Sequence, residues 1–185
     1  MRKEKRQVRM AEIETEAYIL FDALGFEGTS MLAVAKRAKA SNETMYRWYG
    51  DKNGLFESMV RANAAQVRAE LAEVASTGAA PMDRLARVAP VLLGMLLGPR
   101  AIALNRAASS DPTGALGQLL ANGGREDVLP LIRQVLMEAV REGQLQPPRH
   151  GDITALFMYL LIGDQQVRRM IGTMAAPSQA EITSK

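Results

Sequence analysis

The sequence contains no cysteine, and this absence excludes disulfide bonds, thiolate metal ligands and cysteine nucleophiles. A chain without cysteine suits a reducing compartment, so we expect a cytoplasmic protein. The basic N-terminus is not followed by the apolar run of a signal peptide. The longest apolar run, residues 156–163, is far shorter than the roughly 20 residues of a membrane-spanning helix. No membrane association is therefore expected.

Groups that could carry catalysis or hold a metal are also scarce. The single histidine, His150, lies in a segment rich in proline and glycine that is typical of a surface loop. Metal-ligand spacings, a glycine-rich phosphate loop and a distinctive carboxylate pair are all missing from the sequence. We therefore expect no enzymatic activity, no metal site and no cofactor.

The positive charge is concentrated in the first third of the chain. Residues 1–68 contain twelve Lys or Arg against nine Asp or Glu, whereas residues 69–185 contain eleven of each. A local excess of positive charge favours a polyanionic partner at that end. Charge alone favours the plainer interpretation, a solvated face and a basic tail.

Apolar residues recur at helical spacing along nearly the whole chain, and the alternation typical of strands is absent. The sequence therefore predicts an all-α protein. A first helix is expected to end at Gly25, a short second helix to be capped by Thr29 or Ser30, and a third to be capped by Ser41. The later helices are expected near residues 51–76, 82–97, 100–109, 116–120, 126–142 and 152–172.

A short helix, a tight turn and another short helix, within residues 29–50, predict a helix-turn-helix DNA-binding motif. The third helix would direct four side chains towards base edges, with chemistry suited to hydrogen bonds or a thymine methyl: Asn42, Glu43, Thr44 and Arg47. Hydroxyl, ammonium and aromatic groups around it are suited to phosphate or to the flank of the backbone: Thr29, Ser30, Lys39, Ser41, Tyr46, Trp48 and Lys52.

Residues 13–60 resemble the DNA-binding domain of TetR-family transcriptional regulators. The matching run is LFDALGFEGTSMLAVAKRAKASNETMYRWYGDKNGLFESMV. The resemblance implies a three-helix DNA-binding domain with a basic arm over residues 1–51, a connecting helix over 52–76, and a helical effector-binding and dimerisation domain over 77–185. It further implies a homodimeric repressor on double-stranded DNA, released from a near-palindromic operator by a small effector.

Three residues depart from the family pattern. Lys39 occupies the place of the usual turn glycine, so a positive φ there would cost about 1 kcal/mol of strain. Glu43 replaces a small residue before the recognition-helix threonine, and Trp48 replaces a commoner histidine. These departures bear on which operator is recognised and leave the class of protein unchanged.

The last strong helices carry broad apolar surfaces. A helix that is apolar nearly all round needs two partners, and the family resemblance implies that one of them is a second subunit. The predicted dimer interface consists of Val128, Ile132, Val135, Leu136, Leu156, Phe157, Leu160 and Leu161. The alternative is a helix buried within one subunit.

An effector pocket is expected among the middle helices, with few charged or aromatic residues, which favours a largely apolar effector. Its predicted lining is Met82, Leu85, Val88, Leu92, Met95, Leu96, Leu104 and Asn105, with Arg106 as a second polar group. The same residues are also typical of an ordinary core. A different function is open as well: a helical protein-interaction module that binds acidic partners through its basic N-terminal region.

Overall fold

The structure is a computed structural model that describes the backbone of residues 2–183 and the side chains of residues 4–183. Over this range the chain forms helices and connecting turns and contains no strand, so the predicted all-α class is confirmed. Arg2 and Lys3 belong to the predicted basic arm, and their side chains lie outside the described residues.

The described residues form eleven α-helices and one π-helical turn, Ala121–Arg125. The helices of the N-terminal part are α1 (Arg2–Leu24), α2 (Met31–Arg37), α3 (Asn42–Tyr49) and α4 (Lys52–Ser76). The middle of the chain forms α5 (Pro81–Leu97), α6 (Pro99–Ser109) and α7 (Ala115–Leu120). The remaining helices are α8 (Glu126–Arg141), α9 (Ile153–Ile162), α10 (Gln165–Met170) and α11 (Gln179–Thr183).

Two compact units divide the chain. The first consists of Met1–Ala62 and Ala103–Leu120, and the second of Asn63–Ile102 and Ala121–Lys185. Each unit is therefore assembled from two separate stretches of sequence, and α4 and α6 each contribute to both. The linear domain division predicted from the sequence, at residues 51 and 76, stays a prediction.

Local side-chain chemistry starts the helices of the first unit. In each case one side-chain oxygen accepts a backbone N–H from three residues later, which satisfies an otherwise unpaired donor. The pairs are Ser30 with Ala33 at 3.1 Å, Ser41 with Thr44 at 3.1 Å, and Asp51 with Gly54 at 2.8 Å. At the end of α1, Gly25 adopts a φ of +72° and donates its N–H to the Phe21 carbonyl. The predicted boundaries of these helices are confirmed.

Aromatic and aliphatic side chains form a tightly packed core in the first unit. The Phe26 ring lies 5.2 Å from the Phe21 ring and 5.7 Å from the Phe56 ring, centroid to centroid. The buried members contributed by α2 with its C-cap residue Ala38, by α3 and by α4 are Met31, Val34, Ala35, Ala38, Met45, Tyr49, Leu55, Phe56, Met59 and Val60. This packing fixes α2 and α3 as one rigid body against α1 and the first part of α4.

The second unit is built around the packing of α5 on α8. Its buried residues from these helices and from the later part of α4 are Ala64, Val67, Leu71, Val74, Leu85, Val88, Leu92, Val128, Ile132, Val135 and Leu136. Full burial of an aliphatic side chain contributes on the order of 2 kcal/mol, so this set dominates the stability of the unit. A smaller cluster joins Leu93 and Leu97 of α5 to Ile182 of α11.

The predicted continuous helix over residues 152–172 is wrong. The helix ends at Ile162, Gly163 adopts a φ of +51°, and α10 begins only at Gln165. A glycine with positive φ ends a helix at little steric cost, so Gly163 is the local cause of the break. The short helix α11 was also not among the predicted elements.

Within residues 2–183, no single helix has both the length and the apolar character needed to cross a membrane, although the pair α5 and α6, bent by 53°, meets both criteria jointly.

A largely buried ion pair joins α5 to α8. Arg84 is only 9% exposed, and its Nη2 donates a short hydrogen bond to Glu138 Oε2. Gln134 donates to the other carboxylate oxygen at 3.1 Å. The Arg84 guanidinium, more than any other group, holds the pKa of Glu138 below its ordinary value. Removing one partner of such a pair leaves a buried charge uncompensated.

We expect Glu138→Gln to lower the free energy of unfolding by about 1–2 kcal/mol at neutral pH, because the charge-assisted bond to Arg84 is lost. The folded-state pKa lies below the ordinary 4.5, so the stabilisation is complete above that pH and disappears as the pH falls further. Urea unfolding of both proteins at a series of pH values measures this difference.

Glu142→Gln, at the exposed end of α8, is the matched control and should change little. A Glu138→Gln variant as stable as the parent at neutral pH would contradict the role given to this pair.

Candidate nucleic-acid interface

The third helix, α3, has one apolar side and one polar side. Met45 and Tyr49, one turn apart, are buried in the core of the first unit. Asn42, Glu43 and Arg47 are exposed on the outer side. A helix with this division is held by its apolar side and is free to meet a partner with the other.

Tyr49 is a structural residue of α3. Its ring is buried, and its hydroxyl donates to the Met10 carbonyl of α1 at 3.4 Å. Burial, and secondarily the negative charge of Glu14, raise the pKa of Tyr49 well above its ordinary value. The phenol therefore stays neutral and anchors α3 to α1.

The exposed side of α3 carries its own polar contacts. Arg47 Nη1 lies 3.3 Å from Glu43 Oε1 on the preceding turn, and both side chains are mostly exposed. An exposed pair of this kind contributes little to stability and opens easily. At the N-terminus, the Ser41 hydroxyl donates to Thr44 Oγ1 at 2.9 Å. Of the four predicted base-reading residues, Asn42, Glu43 and Arg47 are thus exposed and Thr44 is partly exposed.

The turn between α2 and α3 contains the positive φ at Lys39 for which the sequence predicts a strain energy. Lys39 has a φ of +51°, and among the described residues it alone is a non-glycine with positive φ. Ala40 N–H donates to the Ala35 carbonyl at 2.9 Å, and Lys39 N–H donates to Lys36 at 3.2 Å. These bonds form a Schellman motif, whose left-handed position normally holds glycine.

Two of the predicted phosphate-binding side chains face their own chain. Thr29 is 2% exposed and its hydroxyl donates to the Gly25 carbonyl at 2.8 Å, which contradicts a side-chain contact with phosphate. The Lys52 ammonium donates to the Phe26 carbonyl at 2.8 Å and lies 4.2 Å from the centroid of the Phe26 ring. Lys52 therefore links α4 to the loop after α1, a geometry that does not favour a phosphate contact.

The other predicted phosphate contacts lie at or near the surface. Ser30, Lys39 and Ser41 are exposed, and the Tyr46 side chain is 54% exposed. Trp48 is half-buried against the core, and the guanidinium carbon of Arg6 lies 5.3 Å from the centroid of its ring. Trp48 thus packs against the protein on one side and meets a cation from α1.

Sequence reasoning missed Arg9. Its guanidinium donates to the carbonyl oxygens of Ala38 and Lys39, in the turn between α2 and α3. The signal was present, because Arg9 lies four residues before the buried Ile13 and therefore on the same side of α1.

Comparison with known proteins identifies the family. The sequence-family model for bacterial regulatory proteins of the tetR family matches residues 13–59. The model for the C-terminal domain of AefR-like transcriptional repressors matches residues 83–185, which is more than half of the chain. The chain belongs to the TetR family. The resemblance seen in the run from Leu20 to Val60 is thus confirmed.

Individual TetR-family proteins resemble the chain to different extents. The HTH-type transcriptional regulator BetI of Paraburkholderia phymatum is 36% identical over 56 residues, which are 30% of this chain and only 29% of that relative. A TetR transcriptional regulator from Agrobacterium tumefaciens is 26% identical, with a TM-score of 0.67 over 95% of this chain and 89% of that one. A regulator of the family from Mesorhizobium loti shares the fold at 23% identity, with a TM-score of 0.71 over 96% and 91% of the two chains.

The residues predicted to line a TetR-type effector pocket are not brought together in one unit. Leu104 is buried in the core of the first unit, with Asn105 beside it in sequence and Arg106 3.7 Å from Asp22. The remaining predicted residues lie on α5 in the second unit, where Leu85, Val88 and Leu92 are core, Met95 and Leu96 are half-buried, and Met82 is exposed. Three of the predicted lining residues are thus core of the second unit, and the effector pocket stays a prediction.

Half of the predicted dimer interface is core. Four of its residues are buried in the second unit against α5 and α4: Val128, Ile132, Val135 and Leu136. These four side chains are therefore already covered within one subunit, and the dimer interface as a whole stays a prediction. Phe157 and Leu161 pack partly against the same core. Leu156 and Leu160 are exposed on α9.

We expect Lys39→Gly to raise the free energy of unfolding by about 1 kcal/mol, because glycine adopts the positive φ without a Cβ clash. Thermal unfolding followed by circular dichroism measures the change. The matched control is Lys36→Gly, inside the last turn of α2, which should lower stability by about 1 kcal/mol. Two glycine variants that destabilise equally would contradict the strain at Lys39.

Proposed function

We propose that the protein is a homodimeric repressor that binds a near-palindromic DNA operator and leaves it when a small, largely apolar effector binds. The TetR family consists of DNA-binding transcriptional regulators, so the proposal concerns how this member works. The observation that carries it is the polar side of α3, which is exposed while Met45 and Tyr49 anchor the other side.

In this proposal α3 enters the major groove with its N-terminal end nearest the bases. Asn42 and Arg47 would make paired hydrogen bonds to adenine and guanine edges, and Thr44 would meet a thymine methyl. Glu43 would accept a hydrogen bond from a cytosine amine. The 3.3 Å contact between Glu43 and Arg47 opens when each side chain finds its base.

Contacts with phosphate would orient the protein on the duplex without reading sequence. Tyr46 and Lys39 are exposed near α3 and offer a hydroxyl and an ammonium. Ser30 and Ser41 lie at the N-termini of α2 and α3, where free backbone N–H groups and the helix dipole favour an anion. The cation beside Trp48 would extend this surface along α1.

A second copy of the chain would cover the exposed side of α9. Leu156, Tyr159 and Leu160 are one turn apart or adjacent on that side, and the Leu160 side chain is 79% exposed. Pairing of two such surfaces about a two-fold axis would present two α3 helices to two half-sites. The palindromic operator follows from that symmetry.

The effector would bind in the C-terminal helical domain. Half-buried methionine and leucine side chains on α5, Met95 and Leu96, offer adaptable apolar surface in the second unit. We assign the chain no catalytic step and a cytoplasmic location, where its DNA target lies. The linear domain division, with α4 as the connecting helix, belongs to the same proposal.

We expect Arg47→Ala and Asn42→Ala to change which duplex is preferred, with a loss of about 1–3 kcal/mol of discrimination at one base pair each. Selection of duplexes from a random-sequence library, followed by sequencing, measures the preference of the parent and of each variant. The salt dependence of binding should stay nearly the same for Asn42→Ala, because no phosphate contact is lost.

Tyr46→Phe is the control for these variants, since it should weaken binding to all duplexes by a similar factor and leave the preferred sequence unchanged. If Arg47→Ala selected the same sequence with the same affinity as the parent, α3 would not be reading bases through this side.

We expect Leu160→Lys to convert the dimer into a monomer at micromolar concentration, because two charges would be buried facing each other across the two-fold axis. Analytical ultracentrifugation measures the mass. Leu24→Lys, at an exposed leucine of α1, should leave the mass unchanged. A Leu160→Lys protein that remains dimeric would show that α9 is not the dimer surface.

A further inference from the structure

Arg9 connects α1 to the turn of the helix-turn-helix motif. Its Nη2 donates to the Ala38 carbonyl at 2.5 Å and to the Lys39 carbonyl at 2.9 Å. Its Nη1 donates to Glu12 Oε2 at 2.5 Å, one turn further along α1. The guanidinium is thus held by its own helix on one side and binds the turn with the other.

Two features of the turn favour a hydrogen-bond donor from another part of the chain. The Schellman bonds satisfy the carbonyl oxygens of Ala35 and Lys36. Arg9 binds two later carbonyls of the turn, those of Ala38 and Lys39. Lys39 also has a φ of +51°, a backbone conformation that is unfavourable for any residue with a Cβ. Arg9 in addition brings a positive charge to the C-terminus of α2, where the helix dipole favours it.

We propose that Arg9 is a positioning residue for DNA recognition: by binding the Ala38 and Lys39 carbonyls it fixes the orientation of α3 and so sets how well the protein discriminates its operator from other DNA. The inference rests on the proposed function. Ser41, which caps α3, is only two residues beyond Lys39, so any rotation of the backbone at Lys39 moves Asn42 and its neighbours.

Discrimination should be more sensitive to this rotation than overall affinity. Paired hydrogen bonds to base edges need closely defined geometry, whereas attraction to phosphate falls off slowly with distance. An arginine is required because one planar guanidinium reaches two carbonyls and a carboxylate at once. A lysine at position 9 keeps the charge and loses that geometry.

The experiment compares two duplexes of equal length and base composition. One is the sequence that the parent protein selects from a random library, and the other is a scrambled version of it. Dissociation constants are measured at several salt concentrations for the parent, Arg9→Lys, Arg9→Ala and the control Arg61→Lys. The Arg61 guanidinium pairs with Glu57 on α4. If the parent protein selects no sequence from the library, that result contradicts the proposed function itself and not the role of Arg9.

We expect Arg9→Lys to bind the selected duplex roughly tenfold more weakly, a change of about 1.4 kcal/mol. The affinity of Arg9→Lys for the scrambled duplex should equal that of the parent, and so should the salt dependence of its binding. Arg61→Lys should bind both duplexes with the affinities of the parent. Adding Lys39→Gly to Arg9→Lys should restore the ratio of the two affinities, because glycine keeps the positive φ without the restraint.

Two results would overturn the inference. One is an Arg9→Lys protein with the discrimination of the parent. The other is an Arg9→Ala protein that binds both duplexes more weakly by the same factor, with the salt dependence reduced by about one phosphate contact, because Arg9 would then bind DNA directly. Helix content and thermal unfolding of each variant are recorded at the assay temperature, and the double variant with Lys39→Gly tests the inference if Arg9→Lys alone is partly unfolded.

Discussion

The burial of one side of α3 is the constraint on which the rest of the recognition domain depends. Met45 and Tyr49 are inserted between α1, α2 and the first turns of α4, and Tyr49 is tied to α1 by its hydroxyl. Because a helix of eight residues has little stability of its own, this packing supplies its existence and, together with the contact of Arg9 with the preceding turn, its orientation. The polar side is then exposed as a consequence, and its side chains are presented from a rigid base.

The turn before α3 shows how a local cost is offset by a contact from a distant part of the sequence. A lysine at the left-handed position of a Schellman motif is strained, and the turn nevertheless keeps that geometry. Arg9 binds the carbonyls of that turn from α1, and Glu12 holds Arg9 in place. The departure at Lys39 and the contact from Arg9 are therefore understood together.

Much of this region could be predicted from the sequence because the determining interactions are local. Ser30, Ser41 and Asp51 cap helices with oxygens three residues from their donors, and Gly25 ends α1 through its own conformation. The missed break at Gly163 had a local cause, whereas the failures at Lys52 and on α8 required knowledge of a distant partner. Lys52 has the composition of a phosphate ligand but finds the Phe26 carbonyl, and the apolar stripe of α8 reveals burial without revealing what covers it. Thr29 and Ser30 were equivalent candidates for one cap, and only the fold decides which of them turns inward.

The central claim is that the exposed end of α3 contacts the base edges of duplex DNA, and backbone amide NMR signals test it most directly. The claim predicts that adding a duplex selected by the protein shifts the signals of Asn42, Thr44 and Arg47 most strongly, while those of α8 in the second unit move little. If the signals of residues 42–47 stayed in place while other residues responded to bound DNA, the claim would be contradicted.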